Sequence, residues 1–306
     1  MFHLGLDIGG TKMEAVLLDN SGTIHLRERR PTYKESYQGF MDNLVALICD
    51  IKKSVTDEFT IGIGLPGAID PLGGLIKNCN CLVLNGENLK VDLAQRVGQP
   101  VFMANDADCF ALSEAVDGAG AGYSTVFGVI VGTGCGGGVV VNGQLLQGPN
   151  SIAGEWGHNP LPAWNISKDG PAQPCYCGHE NCIESFISGT GFTRRFNKEN
   201  SLQLHTETII AAVDAGDVSA VAHYHHFIDA FARSLASVIN ILDPHAIVIG
   251  GGLSNVERIY QDLPSVVEKY IFSNALHTTI VKAKFGDSSG VRGAAWLPTL
   301  SSQRSL

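Results

Sequence analysis

Three groups of residues in this chain have types and spacings that suit chemistry. The first is Asp7-Ile8-Gly9-Gly10-Thr11-Lys12, a glycine turn between two apolar runs. Glycines there let backbone N–H groups approach an anion closely, while Thr11 adds a hydroxyl and Lys12 a cation. Asp7 suits a magnesium ion held through water, because Mg²⁺ keeps much of its hydration shell. The second group is Gly132-Thr133-Gly134-Cys135-Gly136-Gly137-Gly138, which formally contains G-x-G-x-x-G. A dinucleotide-binding reading needs a helix directly afterwards, whereas VVVNGQLL follows and reads as a strand and hairpin. The Walker pattern G-x-x-x-x-G-K-[ST] is absent. Two strand–glycine–strand hairpins gripping one polyphosphate account for both groups better than a dehydrogenase does. The plainer alternative is two hairpins that need glycine for geometry alone.

The third group is Cys175-Tyr176-Cys177 followed by Cys182, with His158 upstream in GEWGH. Three thiolates and one imidazole suit tetrahedral Zn²⁺, and four protein ligands leave no open position, so the expected role is structural. The stretch from Pro160 to Cys182 is proline-rich and poor in apolar residues, and a metal can close such a loop. Three unrelated thiols are the alternative. Cys79 and Cys81 lack nearby partners and read as structural, and His223-Tyr224-His225-His226 reads as the solvated face of a helix.

Asn105-Asp106 ends the apolar run PVFMA and opens the helical run ADCFALSEAV. Both are good N-cap types. Yet a kinase acting on an alcohol needs a carboxylate near the attacking hydroxyl, and strand ends are where open α/β sheets bind ligands. Glu155 and Glu184 flank the cysteine group and suit sugar hydroxyls, with ordinary surface acids as the bland alternative.

The elements that must position these residues repeat. HLGLD, IGGTK, MEAVLLD, DNSG and TIHLRE run strand, glycine turn, strand, tight turn, strand. STVFGVIV, GTGCGGG, VVV, NG and QLLQG follow the same order, a duplication at domain scale. Phe40, Leu44, Leu47, Ile48 and Ile51 lie at helical spacing within 36–55. Residues 219–242 read as a long helix stopped before Asp243-Pro244, and HAIVIG reads as a strand running into Gly250-Gly251-Gly252.

The chain has 306 residues, enough for two domains, with 36 glycines in no fixed period. A net charge of −9 argues against nucleic acid or anionic lipid as principal partner. The most apolar stretch, 126–141, is interrupted by glycines, so no membrane span is expected. Eight cysteines without a signal-peptide pattern read as thiols or metal ligands in a reducing compartment, and the expected location is the cytoplasm.

With DIGGTK, GIGLPG, ANDAD, the glycine turn, GEWGH, CYCGHENCIE, DPHAIVIGGGLSN and GDSSGVRGAA in order, the chain resembles the ROK family (repressors, uncharacterised frames and sugar kinases). The resemblance implies an α/β, actin-like ATPase (ribonuclease H-like) duplicated two-domain fold with a zinc-bound loop. Residues 1–118 would form an N-terminal domain completed by a C-terminal helix at about 289–306, and residues 119–288 a larger domain. Among members it looks most similar to bacterial fructokinases of the mannokinase type, with N-acetylglucosamine kinase next. The implied activity is transfer of the γ-phosphoryl of MgATP to the C6 hydroxyl of a hexose, with fructose foremost. N-acetylglucosamine or glucose is the alternative, and a non-catalytic sugar sensor is the alternative of another class. Regulator members carry an N-terminal DNA-binding helix-turn-helix, whereas the first strand here starts by residue 3.

Position by position, the resemblance implies Asp106 as catalytic base, with Asn105, Glu155, His158, Glu184 and Gly67 around the sugar. His158, Cys175, Cys177 and Cys182 would bind zinc. Gly5, Leu6, Asp7, Ile8, Gly9, Gly10, Thr11 and Lys12 would contact ATP phosphates, as would Gly132, Thr133, Gly134, Cys135, Gly136, Gly137, Gly138 and Val139. Gly251 and Gly252 would lie beside the adenosine, and a homodimer is implied. Two departures stand out: Asp108 replaces a usual Asn, adding negative charge near the base, and Asn181 replaces a usual glycine between metal ligands.

Overall fold

The computed structural model describes residues 1–55 and 57–302. The last four positions of the helix expected at about 289–306, residues 303–306, lie outside them. The chain forms two compact units: residues 1–122, 138–153 and 287–306 make the first, and 123–137 with 154–286 make the second.

The first unit opens with β1 (Phe2–Ile8), β2 (Lys12–Leu18) and β3 (Ile24–Pro31), followed by α1 (Tyr37–Ser54) and β4 (Phe59–Leu65). After a short ribbon of β5 (Ala68–Ile69) and β6 (Ile76–Lys77) come α2 (Leu89–Val97), β7 (Val101–Asn105) and α3 (Asp106–Val116). The sheet order is β3-β2-β1-β4-β7. Pairs β1–β2 and β2–β3 are antiparallel, whereas β1–β4 and β4–β7 are parallel. Ser36 caps α1 by accepting from the Gly39 N–H, and its buried Phe40, Leu44, Leu47, Ile48 and Ile51 form the apolar stripe that joins the core.

The second sheet contains β8 (Thr125–Val131), β9 (Cys135–Val141), β10 (Gln144–Leu145), β11 (Ala246–Gly250) and β12 (Thr279–Lys282). Its order, β10-β9-β8-β11-β12, repeats that of the first sheet, with β8, β11 and β12 parallel. This is the duplicated actin-like arrangement that the sequence resemblance implied. Along the chain, α4 (Ile166–Asp169), α5 (Glu184–Ile187), α6 (Gly189–Asn200), α7 (Thr206–Asp214) and α8 (Val218–Leu242) connect β10 to β11, and α9 (Arg258–Val267) lies between β11 and β12. Helix α8 ends at Asp243 with φ of 47°, a left-handed C-cap just ahead of Pro244.

Two expectations need correction. Gly136, Gly137 and Gly138 lie inside β9 and not in the turn. A side chain on Gly138 would meet the Ala107 carbonyl and the Ala111 methyl, and one on Gly137 would meet the Gly154 carbonyl and the Trp156 ring. Gly137 and Gly138 serve close packing. The run 223–226 is not a solvated face: His223 and Tyr224 are buried, and His223 Nε2 lies 2.8 Å from the Phe192 carbonyl. Only His225 and His226 face solvent.

Helix α10 (Ser289–Trp296) returns to the first unit and lies on β1, β4 and α3. The approach is backbone-close. A Cβ on Gly62 would strike the Ala294 carbonyl, one on Gly5 the Val291 carbonyl, and one on Gly293 the Cys109 carbonyl.

Candidate active site

In the first unit, the β1–β2 turn is closed by the Gly9 N–H donating to the Lys12 carbonyl at 2.9 Å. Thr32 fixes its outer side, with Oγ1 donating to the Gly9 carbonyl at 2.8 Å. Asp7 stands where β1 enters this turn. Burial pushes its carboxyl up to about 6, the neighbouring Asp106 and Glu14 charges add to this, and Lys12 works against them. Asp106 is thus close enough to Asp7 for the two charges to act on one another.

Asp106 is the first residue of α3, and Asn105 is its N-cap. Asn105 Oδ1 accepts from the Ala107 N–H at 2.8 Å, and its Nδ2 donates to the Gly67 carbonyl at 2.8 Å. One amide therefore ties the loop after β4 to the strand end that carries Asp106. Gly67 has φ of 118° and lies against the Cys79 backbone, leaving no room for a side chain. Cys79 and Cys81 are buried in the core beneath.

In the second unit, the β8–β9 turn comprises Gly132 to Gly134, closed by the Gly132 N–H donating to the Gly134 carbonyl at 3.0 Å. The Cys135 N–H donates to Glu184 Oε2 at 2.9 Å, and a Cβ on Gly134 would come within 2.8 Å of that oxygen. The Gly189 N–H donates to the Gly132 carbonyl at 2.7 Å. Gly251, with φ of 81°, packs on the Val131–Gly132 backbone. Beside these turns lies a cavity of about 830 Å³, lined by Gly132, Thr133, Thr190, Arg194, Thr206 and Gly252 among others, a size suited to a nucleoside. Its α6 and α7 residues were missed in the sequence, because single polar residues at helical spacing form no motif.

The cysteine group does assemble. Ligand atoms of His158, Cys175, Cys177 and Cys182 all lie within 4.8 Å of one another. Cys177 and Cys182 Sγ are 3.5 Å apart, and His158 Nδ1 is 3.6 Å from Cys175 Sγ. Zinc bonds of about 2.3 Å in a tetrahedron place sulfurs roughly 3.8 Å apart, so the set fits the metal. The His179 backbone N–H draws the Cys177 thiol down to about 6, toward the thiolate a metal takes. Asn181 adopts φ of 59°, and its Oδ1 accepts from the Gln173 N–H at 2.9 Å. Asn thus replaces glycine without losing the turn.

Glu155 precedes the short helical turn Trp156–His158. Trp156 is buried, with Nε1 donating to the Gly136 carbonyl at 3.0 Å. Tyr176, absent from the expected set, places its hydroxyl 3.0 Å from His158 Nε2. Although the residue is largely exposed, partial desolvation beside His158 raises its phenol to about 12, with the charges of Glu184, Cys175 and Glu155 adding to the effect. A buried clamp holds the intervening loop. Arg233 on α8 pairs with Asp169 and, at 2.9 Å, with Asp229.

The sequence pattern of the ROK family matches residues 3–299. The chain belongs to the ROK family. It is 41% identical over 298 residues to the N-acetyl-D-glucosamine kinase of Yersinia enterocolitica, covering 96% of this chain and 98% of that one. Its structure is similar to the ROK hexokinase of Thermus thermophilus, at 29% identity, full coverage of both chains and a TM-score of 0.87. A ROK glucokinase from Streptomyces griseus, solved with glucose and AMPPNP, is 26% identical with a TM-score of 0.75, covering 96% of this chain and 98% of that one. This ROK protein is a sugar kinase. Among its described residues no helix is long and apolar enough to cross a membrane.

Proposed function

We propose that this protein transfers the γ-phosphoryl of ATP to the C6 hydroxyl of N-acetyl-D-glucosamine. The observation that carries the substrate choice is the 41% identity across 96% of the chain to an enzyme of that activity. Fructose, foremost in the sequence reading, gives way to it. Fructose stands as the second reading, supported by the resemblance to mannokinase-type fructokinases.

Asp106 takes the proton of the sugar hydroxyl as its oxygen forms a bond to the γ-phosphorus. The bond between that phosphorus and the β–γ bridging oxygen breaks in line, and ADP leaves. The β1–β2 and β8–β9 turns present backbone N–H groups to the phosphates, and the cavity lined by α6 and α7 takes the nucleoside. Asp7 would hold magnesium through water, and the ion would supply positive charge against the phosphates. Asn105 and Gly67 keep the loop beside Asp106 in register. Glu155, His158 and Glu184 bind sugar hydroxyls, while zinc on His158, Cys175, Cys177 and Cys182 would fix the loop that carries them. Assembly as a homodimer belongs to the same proposal and is read by light scattering.

The test is ADP release over a panel of N-acetylglucosamine, fructose, mannose and glucose. The largest kcat/KM should fall on N-acetylglucosamine; a larger value for fructose establishes the second reading. Asp106→Asn should lose 10²–10⁴-fold in kcat, roughly the contribution of a general base, and keep sugar binding by calorimetry. Sugar binding by the unmutated protein with no ADP release on any sugar would identify a non-catalytic sensor.

A further inference from the structure

Tyr176 lies between Cys175 and Cys177, two of the four residues whose ligand atoms cluster as a candidate metal site. The residue is 84% exposed, yet its ring is not free: it meets the His158 imidazole edge-on, with centroids 5.1 Å apart at 90°. The two nitrogens of His158 are thereby divided. Nδ1 faces the thiols, 3.6 Å from Cys175 Sγ, and Nε2 faces the Tyr176 hydroxyl at 3.0 Å. A metal ligand must offer a lone pair, so commitment of Nδ1 leaves Nε2 as an N–H donor. That N–H is the one polar group His158 has left for a substrate, and a phenol oxygen accepts it. Glu155 and Glu184 are near enough for their charges to act on the same phenol.

We propose that Tyr176 is a specificity-determining residue whose hydroxyl holds the place of a substrate oxygen on His158 Nε2–H. The inference rests on the sugar-kinase reading of this site. An incoming sugar oxygen and the Tyr176 oxygen compete for one donor, so part of the binding free energy goes into displacing the phenol. Removal of the hydroxyl leaves the donor open to the sugar and tightens binding. An exposed hydrogen bond of this kind changes an equilibrium by roughly two- to tenfold. The effect is expected on sugar affinity, because the hydroxyl's hydrogen-bond partner is His158, a residue of the proposed sugar pocket.

The experiment compares the unmutated protein with Tyr176→Phe, which keeps the ring and loses the oxygen. Sugar binding without nucleotide is measured by calorimetry, alongside sugar KM, ATP KM, kcat and bound metal. The expected result is a two- to tenfold fall in sugar Kd and KM, with kcat and ATP KM unchanged and metal retained. An unchanged or raised sugar Kd overturns the proposal, a raised one identifying Tyr176 as a direct sugar ligand. If Tyr176→Phe loses its metal, Tyr176→Leu gives the same reading through an apolar side chain. Loss of metal from both variants also overturns it, since the hydroxyl would then serve the metal loop. Failure of the unmutated protein to phosphorylate any hexose refutes the kinase reading instead, a result distinct from any of these.

Discussion

Asp7→Asn should make the ligand-free protein more stable at neutral pH while disabling it as an enzyme. The Asp7 carboxyl rises from 3.8 to about 6, chiefly through burial and then through Asp106 and Glu14. The folded chain therefore holds this proton more tightly than the unfolded chain does. That advantage is complete below pH 4 and is lost as pH rises through 6. At about 1.4 kcal/mol per pKa unit, ionised Asp7 costs the fold about 3 kcal/mol at pH 7.5, less what solvent screens. An amide does not ionise, so the ionisation cost that it removes is about 1 kcal/mol at pH 4.5 and about 3 kcal/mol at pH 7.5, and the difference between variant and parent should widen by about 2 kcal/mol between them. Urea midpoints in magnesium- and nucleotide-free buffer at the two pH values read it directly. Comparing the two pH values cancels any fixed gain or loss of hydrogen bonds by the amide. A difference that stays constant or narrows with rising pH would refute the reasoning.

Other perturbations test the packing and the metal loop. Gly62→Ala drives a methyl into the Ala294 carbonyl and should cost about 1–3 kcal/mol by denaturant unfolding, the usual range for overpacking. Arg233→Met leaves Asp169 buried without its partner and should cost about 3–5 kcal/mol. Adding Asp169→Leu to that variant should recover part of the loss. Cys182→Ser should abolish stoichiometric zinc, read by metal analysis of purified protein, and expose the 160–182 loop to proteolysis.

Much of this was legible in the sequence because short-range geometry decides it. The C-x-C-x₄-C spacing and the glycine turns are local statements, and the repeated strand order is visible without knowing how the strands pair. Helix α1 was readable from its apolar spacing, with Ser36 at its start. Gly136 to Gly138 were harder, because a glycine that a turn needs and one that a neighbouring backbone needs look identical in sequence. His223 and Tyr224 misled for a related reason: polar residue types suggested solvent, but their partners are the Phe192 carbonyl and Asp262, far along the chain. The cavity beside the β8–β9 turn was illegible because its walls come from that turn, from α6 and α7 and from residues 252–256, which are far apart in the chain. Substrate choice was the least legible, since hexoses differ by one or two groups and no motif records which group a pocket favours.

Helix α10 carries a consequence for how this protein is made. The sheet of the first unit presents Gly5 and Gly62 as bare backbone, and Val291, Ala294, Ala295 and Pro298 lie against them. Those residues are synthesised after the whole second unit, so β1 and β4 must wait on the ribosome with an open apolar face. The earliest strands of the chain are thus among the last to find their complete surroundings. Termination or frameshifting after residue 286 and before residue 289 would release a product whose second unit is whole and whose first unit exposes an adhesive sheet, a natural substrate for chaperones and proteases.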